Sequence, residues 1–241
     1  MRNCLILGAG RSGTSLTAGL LQPSGYYFGP GLLRPNTSNS KGFFESKLIN
    51  ATNELILRQV IPHSRLPSYI SRWPSNARFG RGELWLCRPN CPLHWHVSPA
   101  IKKTIRQLTK KRPFAFKDPR FSYTLPAWAP CLEDCRILCV FRHPLETATS
   151  MVGFAEAHHP RLRLDQAEAL RVWKTMYERI LEMHRHRSRP WLFIDFDDLC
   201  SGAATNSIED FLETQIDQTF VDRRLVHHRA SSSIPWWPEI E

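Results

Sequence analysis

The feature that most constrains this chain is the sequence GAGRSGTS at residues 8–15. It lies between an apolar run, NCLIL, and an apolar helical run, TSLTAGLL, so it reads as a turn from a buried strand into a helix. Gly8, Gly10 and Gly13 permit a tight turn with positive φ, which lets backbone amides converge on an anion. The following helix adds its N-terminal amides and the positive end of its dipole at the same place. The loop almost fits the nucleoside-triphosphatase pattern G-x-x-x-x-G-K-S/T, but Thr14 stands where the lysine belongs. That lysine reaches the β- and γ-phosphates, and its loss argues against an ATPase or a kinase. The cation is instead Arg11, inside the loop.

The rest of the chain alternates strand and helix, which implies a parallel sheet covered by helices. Residues 26–28, 114–117, 137–141 and 191–195 read as further strands. Residues 46–58, 99–111, 144–151, 164–186 and 207–212 read as helices. The second of these opens on Pro99 and the third on Pro144, as proline prefers. Glu54 and Arg58, four apart, support the first as an i,i+4 pair. Residues 59–97 are rich in Pro, Arg and Trp without a period. They read as an irregular excursion over the mouth of the site, on the side where an acceptor enters. The tail after Asp222 carries no assignable pattern. The expected organisation is one α/β domain over residues 1–241.

Hydrophobic residues make up 42% of the 241, enough for a packed core. No apolar run approaches the roughly 20 residues of a membrane span, and the first ten residues run into the glycine turn too soon for a signal peptide. With seven scattered cysteines, two of them (Cys4 and Cys139) in strand-like runs, a reducing, cytoplasmic setting is expected. The spacing of Cys87, Cys91, His94 and His96 matches no usual paired-ligand pattern for zinc, and no metal is expected. The net charge of +10 suits an anionic partner. Its basic residues form no single stripe and accompany no nucleic-acid-reading motif, so nucleic acid is not the expected partner.

A second motif is CVFRHPLETATS. Arg142 closes an apolar strand, and Ser150 lies on the helix opened by Pro144. Strand end and helix bring a guanidinium and a hydroxyl towards one point, and arginine holds phosphate through two parallel hydrogen bonds. FKDPR at residues 116–120, FIDFDDL at 193–199 and NSKGFFES at 39–46 complete the set.

Together these motifs resemble the sulfotransferases that use 3′-phosphoadenosine-5′-phosphosulfate (PAPS), in particular the Golgi-type and bacterial members with arginine in the 5′-phosphosulfate loop. The resemblance implies a P-loop nucleotide-binding topology and transfer of a sulfonate group to a hydroxyl or amine of a carbohydrate or small-molecule acceptor. It further implies that Arg11, Ser12, Gly13, Thr14 and Ser15 grip the 5′-phosphosulfate. Arg142 and Ser150 would take the 3′-phosphate, Phe196 would lie beside adenine, and Lys117 near the sulfonate. The resemblance does not extend to residues 59–97. The cytosolic enzymes' histidine after the lysine is absent, because Asp118 and Pro119 stand there. Their C-terminal Arg-Lys-Gly loop is also absent; Arg223, Arg224, His227 and His228 are the candidate substitutes.

Arg11 and Lys117 are the candidate cations for charge that develops in the transition state. For the base, Asp118 and Glu45 compete. Asp118, between Lys117 and Arg120, is expected to have a low pKa and to orient Lys117 or Arg11. Glu45, at a predicted helix start after Phe43 and Phe44, is the preferred base, as it is in several sulfotransferase families. Trp73, Trp85 and Trp95 are candidates for stacking on an acceptor. The rival reading is a small-molecule or nucleotide kinase on the same fold.

Overall fold

The computed structural model describes residues 1–61, 83–159, 162–186 and 189–222. Four strands, β1 (Asn3–Leu7), β2 (Ala115–Lys117), β3 (Cys135–Phe141) and β4 (Trp191–Asp195), form a parallel sheet in the order β2-β1-β3-β4. Leu5 of β1 lies opposite Phe116 on one side and Ile137 on the other. Alternate strand residues face opposite sides of a sheet. Leu5, Leu7, Phe116, Ile137 and Cys139 therefore enter one core, while Cys4, Ile6, Ala115, Leu138 and Val140 enter a second. Burial on both faces explains why these strands read as near-continuous apolar runs, with polar residues only at or next to their ends, rather than alternating.

The helices are α1 (Thr14–Leu21), α2 (Lys47–Leu57), α3 (Pro99–Leu108), α4 (Phe121–Trp128), α5 (Pro144–His158), α6 (Gln166–Arg185), α7 (Phe196–Ser201) and α8 (Thr205–Leu212). The first core is closed by α2 to α6 and the second by α1, α7 and α8. Local signals start several of them. Ser98 accepts from the Ile101 amide ahead of Pro99, and Asp165 accepts from the Glu168 amide at 2.7 Å; both are side-chain N-caps. Among the described residues no helix is long and apolar enough to cross a membrane.

The structure departs from the sequence reading in several elements. Residues 26–28 are not a strand: Tyr27 makes one parallel rung with Phe114, beyond β2. Gly29, at φ 97°, and Pro30 turn the chain away at once. The first predicted helix starts one residue later, at Lys47, with Ser46 as its cap, so Glu45 precedes it. Helix α4 was not legible, because FSYTLPAW carries aromatic and β-branched residues and an internal proline. Tertiary contacts override that preference: Phe121 packs edge-on to Trp128, and both Thr124 and Trp128 donate to Asn53 Oδ1.

The sheet order places β1 between the strands that follow it. Its C-terminal loop lies where connections diverge to either side, the position in open α/β sheets where ligands bind. Lys117 ends β2, Arg142 follows β3 and Phe196 follows β4, so all four carboxyl ends meet at one edge.

Candidate active site

Crowding forbids a side chain at all three loop glycines, and a positive φ adds to it at Gly8 and Gly13. Gly8 (φ 148°) has no room for a side chain, since a Cβ would lie 2.2 Å from the Val140 carbonyl oxygen. Gly13 (φ 101°) opens α1, and a Cβ there would lie 2.4 Å from the Phe196 ring. Gly10 does not take a positive φ; it is small because Trp85 packs on it, with a Cβ meeting that ring at 2.3 Å. The left-handed residue in the middle of the loop is Arg11 (φ 71°), a strained conformation of the kind found at functional sites. No side chain caps α1, so its first amides remain available at the loop. Tyr177 of α6 clamps the loop from behind, donating to the Val140 carbonyl at 2.7 Å and accepting from the Ala9 amide at 3.3 Å.

Within the loop, Ser12 differs from its neighbours. Its hydroxyl donates to the Ala9 carbonyl at 2.6 Å and its amide bonds the same oxygen, so this fully buried residue shapes the turn from inside. Arg11 Nε donates to Ser150 Oγ at 3.1 Å, and its guanidinium lies 5.3 Å from the Phe154 ring centre. Burial, and then the positive charge of Arg142, hold the Arg11 pKa below its usual value. An anion beside Arg11 offsets both costs.

Beside the loop, Lys117 Nζ donates to Glu45 Oε1 at 2.5 Å and lies 3.3 Å from Ser15 Oγ. Phe44 aims Glu45 there. It is left-handed (φ 55°) and held by its ring against Phe28 and Phe220. Asn50 Nδ2 donates to the other Glu45 oxygen at 2.9 Å. Burial alone raises the Glu45 pKa, but the nearby Lys117 and Arg120 charges outweigh it and bring the group below its ordinary value. The loop residues Gly10, Arg11, Thr14 and Ser15, the pair Glu45 and Lys117, and one face of α2 line a single cleft of about 1210 Å³.

Asp118 corrects the expectation of a low pKa and of a role holding Lys117 or Arg11. It is wholly buried and does not line the cleft. Burial raises its pKa; Arg120 opposes this, and the like charge of Glu45 adds to it. Its oxygens accept from the Arg120 amide and Nη1, both at 2.9 Å, and from Asn53 Nδ2 at 3.0 Å. Arg120, itself on the cleft wall, donates through Nε to Glu54 at 2.7 Å. Glu54 therefore pairs with Arg120 rather than with Arg58, contrary to the i,i+4 reading. Asn50, Asn53 and Glu54 were not singled out from sequence. Their spacing on one helix after Glu45 was the available signal.

The second motif arrives at the same loop. Arg142 Nε donates to Glu146 at 2.8 Å, with its guanidinium 4.4 Å from the Phe196 ring centre. Phe196 in turn covers Gly13. Ser150 bonds Arg11, and the charge of Arg142 also acts on Arg11, so both predicted residues lie near the loop arginine. Trp85 is buried against Gly10 and Phe154 and Trp95 is half-buried, whereas Trp73 and the basic segment from Arg223 lie outside the described residues. Cys87 and Cys91 are buried thiols; burial pushes Cys91 up to about 12. Among the described residues no three His, Cys, Asp or Glu side chains gather as metal ligands.

A parallel α/β sheet with an uncapped, arginine-bearing glycine loop and a carboxylate–lysine pair in one cleft has the donors and charge to hold an anionic group. The profile of the sulfotransferase family matches residues 4–218, and the chain belongs to that family, which transfers sulfonate groups. Two solved structures are among the matches. The sulfotransferase from Alicyclobacillus acidocaldarius is 15% identical, with a TM-score of 0.50, over 95% of this chain and 87% of that one. The sulfotransferase domain of the Synechococcus PCC 7002 olefin synthase is 18% identical, with a TM-score of 0.47, over 94% of this chain and 82% of that one. Among curated proteins none matches significantly.

Proposed function

We propose that the chain transfers the sulfonate of PAPS to a hydroxyl or amine of a carbohydrate or small-molecule acceptor, with Glu45 as the base. The observation that carries this reading is the contact of Lys117 with both Glu45 and Ser15, which joins a carboxylate to the anion loop in one cleft. Arg11, the amides of Gly13, Thr14 and Ser15, and the Ser15 hydroxyl hold the 5′-phosphosulfate, and Ser12 keeps the turn in shape. Arg142 and Ser150 address the 3′-phosphate, and Phe196, under the Arg142 guanidinium, offers adenine a face.

The acceptor oxygen forms a bond to sulfur as the bond from sulfur to the 5′-phosphate oxygen breaks. The acceptor's proton passes to Glu45, and the electron pair leaves with the phosphate. Lys117 and Arg11 stabilise the charge that grows on that leaving oxygen. Negative charge arriving at Lys117 also cancels the influence that lowers the Glu45 pKa. The base therefore strengthens when the donor is bound, as proton transfer requires. The kinase reading is disfavoured because Thr14 stands at the lysine position of the loop.

Arg142→Ala tests the nucleotide assignment. It is expected to weaken binding of adenosine 3′,5′-bisphosphate by about 1.5–3 kcal/mol, or roughly 10- to 150-fold, and to leave adenosine 5′-phosphosulfate almost unaffected. Calorimetric titration of both nucleotides measures this. An equal loss for the two contradicts the assignment of Arg142 to the 3′-phosphate.

A further inference from the structure

Helix α2 presents Lys47, Asn50, Ala51, Glu54, Leu55 and Arg58 to the cleft, a single stripe at i, i+3, i+4, i+7, i+8 and i+11. The stripe leads away from Glu45. Three observations on it are unexplained by the nucleotide. Asn50 Oδ1 is buried without a hydrogen-bond partner; its Nδ2 must face Glu45, since a carboxylate only accepts, so the orphan is the oxygen. Glu54 Oε2 is likewise buried without a partner, although its Oε1 holds Arg120. Arg58, half-buried on the same wall, forms no ion pair among the described residues because Glu54 is engaged elsewhere. Arg34 and Lys47, also on the cleft wall, form no ion pair there either.

An unmet buried acceptor is costly, and a donor that reaches it relieves the cost. Along this face the order is acceptor, acceptor, cation, at Asn50, Glu54 and Arg58, with about 6 Å of helix rise between successive members. Both orphan oxygens are shut off from solvent, so a donor reaches them as the wall gives way. We propose, building on the sulfotransferase reading, that the acceptor is an acidic, hydroxyl-rich molecule laid along α2. Its hydroxyls donate to Asn50 and Glu54, and its anionic group pairs with Arg58. An acidic saccharide of two or more residues meets both demands: hydroxyls for the two acceptors, and a carboxylate about 12 Å along the helix from Asn50. A neutral sugar leaves Arg58 unpaired, and a cationic one places like charges together.

The test uses the chain saturated with adenosine 3′,5′-bisphosphate in EDTA, with cellobiouronate and cellobiose as a matched acidic and neutral pair. Binding is read by saturation-transfer NMR titration. The acid is expected to bind roughly tenfold or more tightly than cellobiose, and Arg58→Ala to remove that preference. Arg58→Lys, which keeps the charge but not the fork, is expected to restore part of it. Arg58 caps the end of α2, and among the described residues its side chain makes no ion pair, so the variant is expected to keep its nucleotide affinity. Equal or better binding of cellobiose, binding of neither sugar, or a preference that survives in Arg58→Ala overturns the proposal. Because bisphosphate saturation is measured first in the same sample, failure of the nucleotide reading shows itself separately.

Discussion

Glu45→Gln is expected to lower turnover by about 10²–10⁴-fold while adenosine 3′,5′-bisphosphate still binds, because it removes the base and little else. The Gln carbonyl keeps the bond to Lys117. Its new amide group would oppose the Asn50 amide, but Asn50 can turn over and offer the Oδ1 that now lacks a partner. The site thus tolerates the change, and loss of turnover reports chemistry rather than collapse. Single-turnover rates with nucleotide affinity measured in parallel decide the matter. An active Glu45→Gln beside a dead, folded and nucleotide-binding Asp118→Asn reverses the assignment, against the burial of Asp118 away from the cleft. The pH dependence has a definite sign. The Glu45 pKa is depressed in the folded chain, so the stability from its pair with Lys117 is present above its unfolded value of about 4.3 and is lost as pH falls through the lower folded value. The base thus stays ionised through the neutral range.

Arg120→Met is expected to produce the largest loss of stability, about 3–5 kcal/mol, or a fall in Tm on the order of 10 °C. Arg120 is fully buried between Asp118 and Glu54, and its removal strands two carboxylates in the interior. Scanning calorimetry at several pH values supplies a signature that a mere cavity lacks. The Asp118 pKa is already raised in the folded chain, and without Arg120 it rises further. A carboxylate with a raised folded pKa contributes most below its unfolded value of about 3.9 and loses that contribution as pH rises through the folded one. Acidification is therefore expected to narrow the gap between the variant and the parent. A gap independent of pH contradicts the account of Arg120 as the counter-ion of this network.

Some elements were readable because their signal is local. NCLIL and the glycine run fix a strand, a turn and a helix within about twenty residues, and Pro144 marks the start of α5. Arg11, Thr14, Ser15 and Lys117, named from motifs far apart in the sequence, are brought by the fold to one cleft. What escaped depends on distant partners. Asp118 read as a low-pKa carboxylate between two cations; its burial comes with α4, a helix that its own sequence does not announce. The Glu54–Arg58 pair satisfied a helix rule, yet a buried guanidinium 66 residues away in sequence binds Glu54 more closely. Gly10 was assigned a positive φ, whereas its size is set by Trp85, which arrives from a segment with no period at all. Helix periodicity places side chains on a face, but only the packed fold decides which face borders the cleft.

The most direct measurement is calorimetric titration of the chain with adenosine 3′,5′-bisphosphate in EDTA. The account predicts one-to-one binding that magnesium does not alter, since Arg11, Lys117 and the loop amides supply the positive charge, and a matching rise in Tm by mass action. Absence of binding, or nucleotide binding seen only with ATP and magnesium, contradicts it.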